Sequence, residues 1–338
     1  MSRVIIQLVS WNGIKYLPYL FASLQNQTFK EFDVRVWDNG STDGTQEWLK
    51  EHAASYVPEV HITVSPTNIG FASGHNKLFE NSLKDAEYVL LQNQDMQLEP
   101  TFLETLVEEM DARPSVGSCS GRLMKWAFPK TTNMVDSLCL RPLPNHRVIE
   151  DGGGVEWVDC GTRVRDVFGV SGALPLYRTE ALRDVAHAGE VFDAGYFSYK
   201  EDVDLAWRLR RMGWGSITVL DAVAHHDRSA AAPAALDDIT AAKNRSTKSA
   251  LAKKYSYRNH LRLLIKLAGH EVGVGGWLAT IWYEFKKAVF MLVVAPRDAW
   301  WAWSELMHER NKLSAERRRI SAVARVPSAS LRRWFTAV

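Results

Sequence analysis

The stretch Asp33-Val34-Arg35-Val36-Trp37-Asp38-Asn39-Gly40-Ser41-Thr42-Asp43-Gly44-Thr45 decides the fold. A short β-rich run, Asp33 to Trp37, breaks into a polar, glycine-rich loop, and a helix-like segment follows from Gln46 to Ala54. The same unit occurs on both sides. Val4 to Val9 breaks at Ser10-Trp11-Asn12-Gly13 and leads to a helical stretch with Leu17, Leu20, Phe21 and Leu24 on one face. After a strand at Val60 to Val64, Asn68-Ile69-Gly70-Phe71-Ala72 leads into another helix. A fourth strand, Tyr88 to Gln92, ends in Asn93-Gln94-Asp95. Strands of this length alternating with helices predict an α/β fold with a doubly wound, mainly parallel sheet. Ligands of such sheets bind beyond the carboxyl ends of the strands, where the strand order reverses. The clusters Ser10–Asn12, Asp38–Asp43 and Asn93–Asp95 are therefore expected to line one cleft.

The loop Asp38–Gly44 does not fit a calcium site. Aligning Gly44 with the loop glycine puts Lys50 where a bidentate Glu is required. An acid at a strand end can accept a hydrogen bond from a base N–H, while Thr42 or Asp43 can cap the following helix. Asp95 places one carboxylate in the cleft, and a hard divalent cation on a diphosphate needs only one or two protein carboxylates. His225 or His226, expected just past a short strand at Ile217–Leu220, could add a nitrogen that tilts the choice from Mg²⁺ toward Mn²⁺. Three further acids, Glu201, Asp202 and Asp204, fall in the first turn of a helix whose apolar positions are Val203, Leu205, Ala206, Leu209 and Met212. Taken alone they read as charge complementation of the helix dipole.

The middle segment, 115–166, is less regular and is expected to form strands and loops over the cleft, with Gly152-Gly153-Gly154 as a turn; Val167 to Tyr177 returns to strand character. From Ile239 the composition shifts. Residues 240–338 hold 19 basic and 6 acidic side chains, a charge of about +13, against about −11 for residues 1–239. Two regions are expected: 1–239, with the cleft, and 240–338, basic and helical. In the second, Trp277, Leu278, Ile281, Trp282, Phe285, Val289, Leu292 and Val293 trace one helix face, with Thr280, Glu284 and Lys287 off it, and Pro296 ends the helix. Trp at the boundaries and Lys or Arg on the flanks describe a helix lying in a membrane interface; packing on the rest of the chain or on a second copy is the alternative. No apolar run reaches the length of a transmembrane helix. Three cysteines (Cys119, Cys139, Cys160) without a C-x-x-C pair fit a reduced compartment, and Met1-Ser2-Arg3 runs straight into a strand with no room for a signal peptide. These features give the expectation of a cytoplasmic chain, peripheral on the inner face of the plasma membrane. The basic tail lacks a nucleic-acid recognition motif, so nucleic acid is not an expected partner.

Five ordered motifs resemble family 2 glycosyltransferases of the GT-A fold, over roughly residues 3–230. Val9-Ser10-Trp11-Asn12 is similar to V-S-[YW]-N, and Asp38–Thr45 to D-N-x-S-x-D-G-[ST]. Asn68-Ile69-Gly70-Phe71-Ala72-Ser73-Gly74-His75-Asn76 is similar to N-x-G-F-[AG]-x-G-x-N, and Leu91–Asp95 to the L-L-N-P-D form of a metal-binding D-x-D. Phe192-Asp193 through Leu205 is similar to F-D-x-x-F-F-x-Y-x-E-D-x-D-L. The resemblance implies Ser10 and Asp38 at the nucleobase and ribose. It puts Asn12, Asn39, Asn68, Gly70, Asn76, Gln94 and Gly172 around the nucleotide sugar, and Asp95 with His225 at a Mg²⁺ or Mn²⁺ ion. Asp202 becomes the general base, with Glu201 and Asp204 supporting it. Asp136–Leu140, Phe168–Ala173 and Tyr177-Arg178 look most like bacterial rhamnosyltransferases using a dTDP-sugar. The expected function is inverting, metal-dependent transfer of a sugar, rhamnose first, from a dTDP- or UDP-sugar to a glycan or lipid-linked acceptor, by a monomer or homo-oligomer. The alternatives are a non-catalytic sugar-nucleotide-binding or scaffold subunit and a nucleotidyltransferase, the latter distinguished by release of pyrophosphate.

Overall fold

A computed structural model describes residues 2–57, 59–228 and 250–336. Strand β1 (Val4–Ser10) is buried along nearly its whole length, as expected for a strand covered on both faces. It pairs in parallel with β2 (Phe32–Asp38) on one side and β4 (Tyr88–Gln92) on the other, and β3 (Val60–Val64) extends the sheet beyond β2. The chain thus builds outward through β2 and β3, then returns to place β4 across β1. This reversal between β1 and β4 creates the crevice in which Ser10 and Asn93-Gln94-Asp95 lie.

Side-chain alternation sorts the two faces. Val4, Ile6, Leu8, Val34, Val36 and Leu90 share a core with helices α1 (Leu17–Gln25), α2 (Thr45–Tyr56) and α4 (Phe102–Asp111). Val89 and Leu91 face the other way, toward α3 (Phe71–Asp85), α5 (Thr179–Val185) and α6 (Glu201–Met212). The doubly wound expectation holds, in a mixed and mainly parallel sheet. Its remaining members are β5 (Met96–Leu98), β6 (Val116–Ala127), β7 (Lys130–Ser137), β10 (Val164–Asp166), β11 (Leu176–Arg178) and β12 (Gly215–His226). The order is β10-β12-β6-β11-β4-β1-β2-β3, with β5 on β12 and β7 on β6. β11 runs antiparallel to both β4 and β6. A separate hairpin joins β8 (Cys139–Pro142) to β9 (Val148–Asp151).

Three segments differ from expectation. β6 is a long inner strand of the sheet, so the strands expected within 115–166 do not all lie over the cleft. Of Val167–Tyr177 only the end joins the sheet, because Gly169 and Gly172 let the backbone pass close over α6. A Cβ on Gly169 would lie 2.4 Å from that of Ala206, and one on Gly172 3.0 Å from that of Asp202. β12 outruns its expected span, carried past a register shift between Val219 and Val223, so His225 and His226 lie within the strand.

The boundary expected between 239 and 240, and residues 241–249 of the basic segment, lie outside the described residues. Beyond them α7 (Ala250–Leu267), α8 (Val274–Val294) and α9 (Pro296–Val323) follow, with Pro296 at the first position of α9. These helices share a core with the front of α6: Val203, Ala206 and Trp207 pack with Leu263, Leu267 and Ile320. Helix α8 docks by its polar side. Thr280 is 2% exposed and Lys287 7%, and the Thr280 hydroxyl lies 2.9 Å from Nδ1 of His146. Its apolar side faces outward, with Ile281 62% and Phe285 56% exposed. Among the described residues no helix is long and apolar enough to cross a membrane.

Candidate active site

The crevice between β1 and β4 is closed by one side chain. Gln94 accepts from Ser10 Oγ (3.0 Å) and Trp11 N (2.9 Å) and donates to Trp11 O (3.1 Å). Its carboxamide sits where a Cβ on Gly13 would be, 2.4 Å from that position, so glycine is needed there. Gln94, expected on the nucleotide sugar, therefore ties the two strand ends together.

Several other residues expected at the nucleotide are also joints between loops. Asp38 is fully buried; it accepts from Ser41 N (2.9 Å), Ser41 Oγ (2.5 Å) and Gln46 Nε2 (2.7 Å). A base N–H would have to share one of these oxygens. Exposed Asn12 accepts from Thr42 N. Asn39 donates to Gly70 O and accepts from Trp37 Nε1, fixing the loop before α3. Asn68 Oδ1 caps Gly70 N, and Asn76 bonds the backbone of Val191 and Phe192. The large aromatic left exposed at the end of β1 is Trp11, 52% accessible.

At the other side of the cleft, Asp202 sits in the first turn of α6. Its Oδ1 accepts from Val203 N (2.8 Å) and its Oδ2 from Gly172 N (3.1 Å). Burial raises its pKa, against the opposing pull of Lys200. Glu201 is also buried, and one of its carboxyl oxygens has no partner among the described residues. Burial, followed by the charge of Asp202, pushes it up to about 8. At neutral pH Glu201 is thus the member of the pair that keeps its proton. Asp204 points elsewhere: it accepts from Arg208 (2.6 Å) and Tyr196 (3.2 Å) and pairs with Lys266 (2.8 Å). Burial opposes its charge, but Lys266 and Arg208 hold its pKa below the ordinary value.

The nitrogen near Asp95 is a correction. The expected ligand, His225, is turned away, with its Nε2 3.0 Å from Glu99. Neighbouring residues of a strand point to opposite faces, and it is His226 that turns its Nε2 toward Asp95, 3.4 Å away. Burial disfavours the imidazolium, yet Asp95 and Asp136 on either side push His226 up to about 9. Among the described residues no ready cluster of three or more His, Cys, Asp or Glu could hold a metal. Once His226 gives up its proton, Asp95 and His226 would supply one oxygen and one nitrogen donor, a set that fits a divalent cation completed by a diphosphate and water.

A continuous polar chain links this pair to Asp202, through residues that sequence reasoning missed. His226 Nδ1 meets Asp136 (2.9 Å), and Arg228 lies 3.6 Å from Asp136. Arg228 forks onto Glu150, which accepts from Ser171 Oγ (3.0 Å), next to the Gly172 that holds Asp202. Asp136 and Ser171 belong to motif segments of the sequence; Glu150 on β9 carries no local signal.

Comparison with known proteins bears on the family and the fold. Residues 6–149 match the model of glycosyl transferase family 2. The chain carries a family 2 glycosyltransferase domain. An N-acetylglucosaminyl-diphospho-decaprenol L-rhamnosyltransferase of Mycobacterium tuberculosis H37Rv is 26% identical over 267 residues, 73% of this chain and 83% of that protein. Chondroitin synthase of Escherichia coli is 33% identical over 106 residues, 31% of this chain and 15% of the synthase. Among solved structures, GalNAc-T7 with UDP, GalNAc and Mn²⁺ has a TM-score of 0.63 at 11% identity over 94% of this glycosyltransferase. The chain spans 55% of GalNAc-T7. A Pyrobaculum calidifontis mannosyltransferase with GDP-Man and Mn²⁺ has a TM-score of 0.52 at 16% identity, covering 98% of this chain and 87% of that one. Both likenesses describe the GT-A fold.

Proposed function

We propose that this glycosyltransferase transfers L-rhamnose from a dTDP-sugar, with inversion, to a lipid-linked acceptor at a membrane surface. The observation that carries the reading is Asp202. It is a carboxyl group whose basicity burial raises, held by the backbone N–H groups of Gly172 and Val203 at the start of α6. In one displacement, Asp202 takes the proton of an acceptor hydroxyl as its oxygen bonds to the anomeric carbon and the bond to the diphosphate oxygen breaks. Asp95 and His226 would hold the divalent cation, whose chemistry is to neutralise the departing diphosphate. Neutral Glu201 keeps a second negative charge away from the base. Rhamnose and the lipid-linked acceptor are supported by the mycobacterial relative, an enzyme named for both. The membrane is supported by α8, which packs its polar side on the protein and leaves Leu278, Ile281, Trp282, Phe285 and Val293 outward, in a region of about +13 net charge.

The test is incubation of the full chain with dTDP-rhamnose, Mn²⁺ or Mg²⁺ and a polyprenyl-diphosphate-linked N-acetylglucosamine. The expected products are free dTDP and a disaccharide lipid whose new linkage has inverted anomeric configuration by NMR. Release of pyrophosphate, or retention of configuration, overturns the reading.

A further inference from the structure

The loop that presents the base is held from the C-terminal helices. Phe197, Tyr199 and Lys200, just ahead of Glu201, all have positive φ (62°, 74° and 74°). None is a glycine, so this backbone persists only where surrounding contacts over-determine it. Those contacts come largely from one residue of α7. Asn259, fully buried, directs its Nδ2 at the carbonyl oxygens of Tyr196 (2.9 Å), Ser198 (2.8 Å) and Tyr199 (2.7 Å). Arg258 donates to the carbonyls of Gly195 and Tyr196 and to Asn259 Oδ1, which fixes the orientation of the amide. The carbonyl of Phe197 is taken by Ala72 N of α3 (3.1 Å), and that of Lys200 by Asp204 N of α6 (3.0 Å). Every carbonyl from Gly195 to Lys200 thus has a donor, and those of Ser198 and Tyr199 depend on Asn259.

We infer that Asn259 is a positioning residue for transfer, setting from α7 the backbone that aims Asp202 into the cleft. Nothing in the helix itself calls for asparagine at a buried interior position, since asparagine is a poorer helix former than alanine or leucine. Its short amide has two N–H groups, matching the two carbonyls, Ser198 and Tyr199, that depend on it, while Tyr196 O also receives Arg258 and Ser198 N. The helix that carries it is anchored to the same region. Lys266 pairs with Asp193 (2.6 Å) and Asp204 (2.8 Å), Arg262 with Asp193 (2.9 Å), and Tyr255 stacks on Phe197 (4.9 Å). The C-terminal region is on this account part of the catalytic framework, whatever its relation to a membrane. The inference rests on Asp202 being the base.

The test uses the full chain with Asn259→Asp, which keeps the shape but replaces the donating amide with an acceptor, and with Asn259→Ala. The expected result is a kcat lowered about 10- to 100-fold, with donor KM and dTDP affinity by calorimetry within about twofold of wild type. Leu263→Ala, a packing change on the same helix, is the control: it should lower Tm without that selective loss of kcat. A folded Asn259→Asp protein with wild-type kcat overturns the inference. So does a loss of kcat that merely follows the loss of Tm along the line set by Leu263→Ala. Should both Asn259 variants fail to fold, Arg258→Lys decides by the same kcat criterion, since it loosens the grip on Gly195, Tyr196 and the Asn259 amide. Asp202→Asn measured in parallel separates the two claims. Activity in Asp202→Asn removes the base assignment, whereas an inactive Asp202→Asn beside a fully active Asn259→Asp removes only the positioning role.

Discussion

Replacing Glu201 with Gln should stabilise the protein, increasingly so as pH rises from about 5 to about 8. In the folded chain Glu201 keeps its proton until about pH 8, while in the unfolded chain it ionises near the ordinary value of 4.5. A carboxyl whose pKa is raised by folding favours the fold below the unfolded value. That favour is lost as pH rises from there through the folded value. The gap corresponds to a ceiling of roughly 5 kcal/mol, at about 1.4 kcal/mol per tenfold. Water entry and relaxation around Asp202 reduce this, and about 2 kcal/mol is a reasonable expectation at an effective interior dielectric near 20. Glutamine reproduces the neutral carboxyl in shape and carries no charge at any pH. At about pH 5 the variant should lie close to wild type in Tm; at about pH 8.5 it should melt roughly 3 °C higher. Calorimetric scans at the two pH values measure this directly. An equal Tm difference at both, or a variant that is less stable in alkali, refutes the claim that Glu201 is the protonated member of the pair.

Two further expectations follow from the ion network and from the outward face of α8. Asp204→Asn takes the carboxylate from buried Arg208 and leaves Lys266 with Asp193 alone, so it should cost about 2–3 kcal/mol of stability, read as a lower urea midpoint at unchanged slope. Ile281→Ser with Phe285→Ser should abolish flotation with vesicles containing anionic lipid while leaving Tm within about 1 °C, because both side chains are more than half exposed. Flotation equal to wild type removes α8 as the docking face.

Much of the first half is legible in the sequence. Strands β1 to β4 announce themselves because each is a short apolar run cut off by a polar loop, and that alternation with helices points to a doubly wound sheet. The acids at the start of α6 are visible from the helical spacing of Val203, Leu205, Ala206 and Leu209. The second half is harder to read for physical reasons. β12 carries a register shift, so its period breaks and His225 and His226 read as loop residues, hiding which of them faces Asp95. Glu150 and Arg228 meet across 78 positions of sequence, and no local pattern records such a contact. The loop amides of Asn39, Asn68 and Asn76 read as ligand contacts, whereas in the fold they satisfy backbone groups of neighbouring segments. The amphipathic face of α8 is traced by its sequence, but only the packed structure shows that its polar side is the one turned inward.

Asp202→Asn, assayed for sugar transfer and for donor binding in the same preparation, tests the base assignment with the fewest intervening assumptions. The amide keeps the shape between Gly172 N and Val203 N but takes no proton from the acceptor. Transfer should fall by at least about 10³-fold while donor affinity by calorimetry stays within about threefold of wild type. Transfer retained within about tenfold, with donor still bound, contradicts Asp202 as the base.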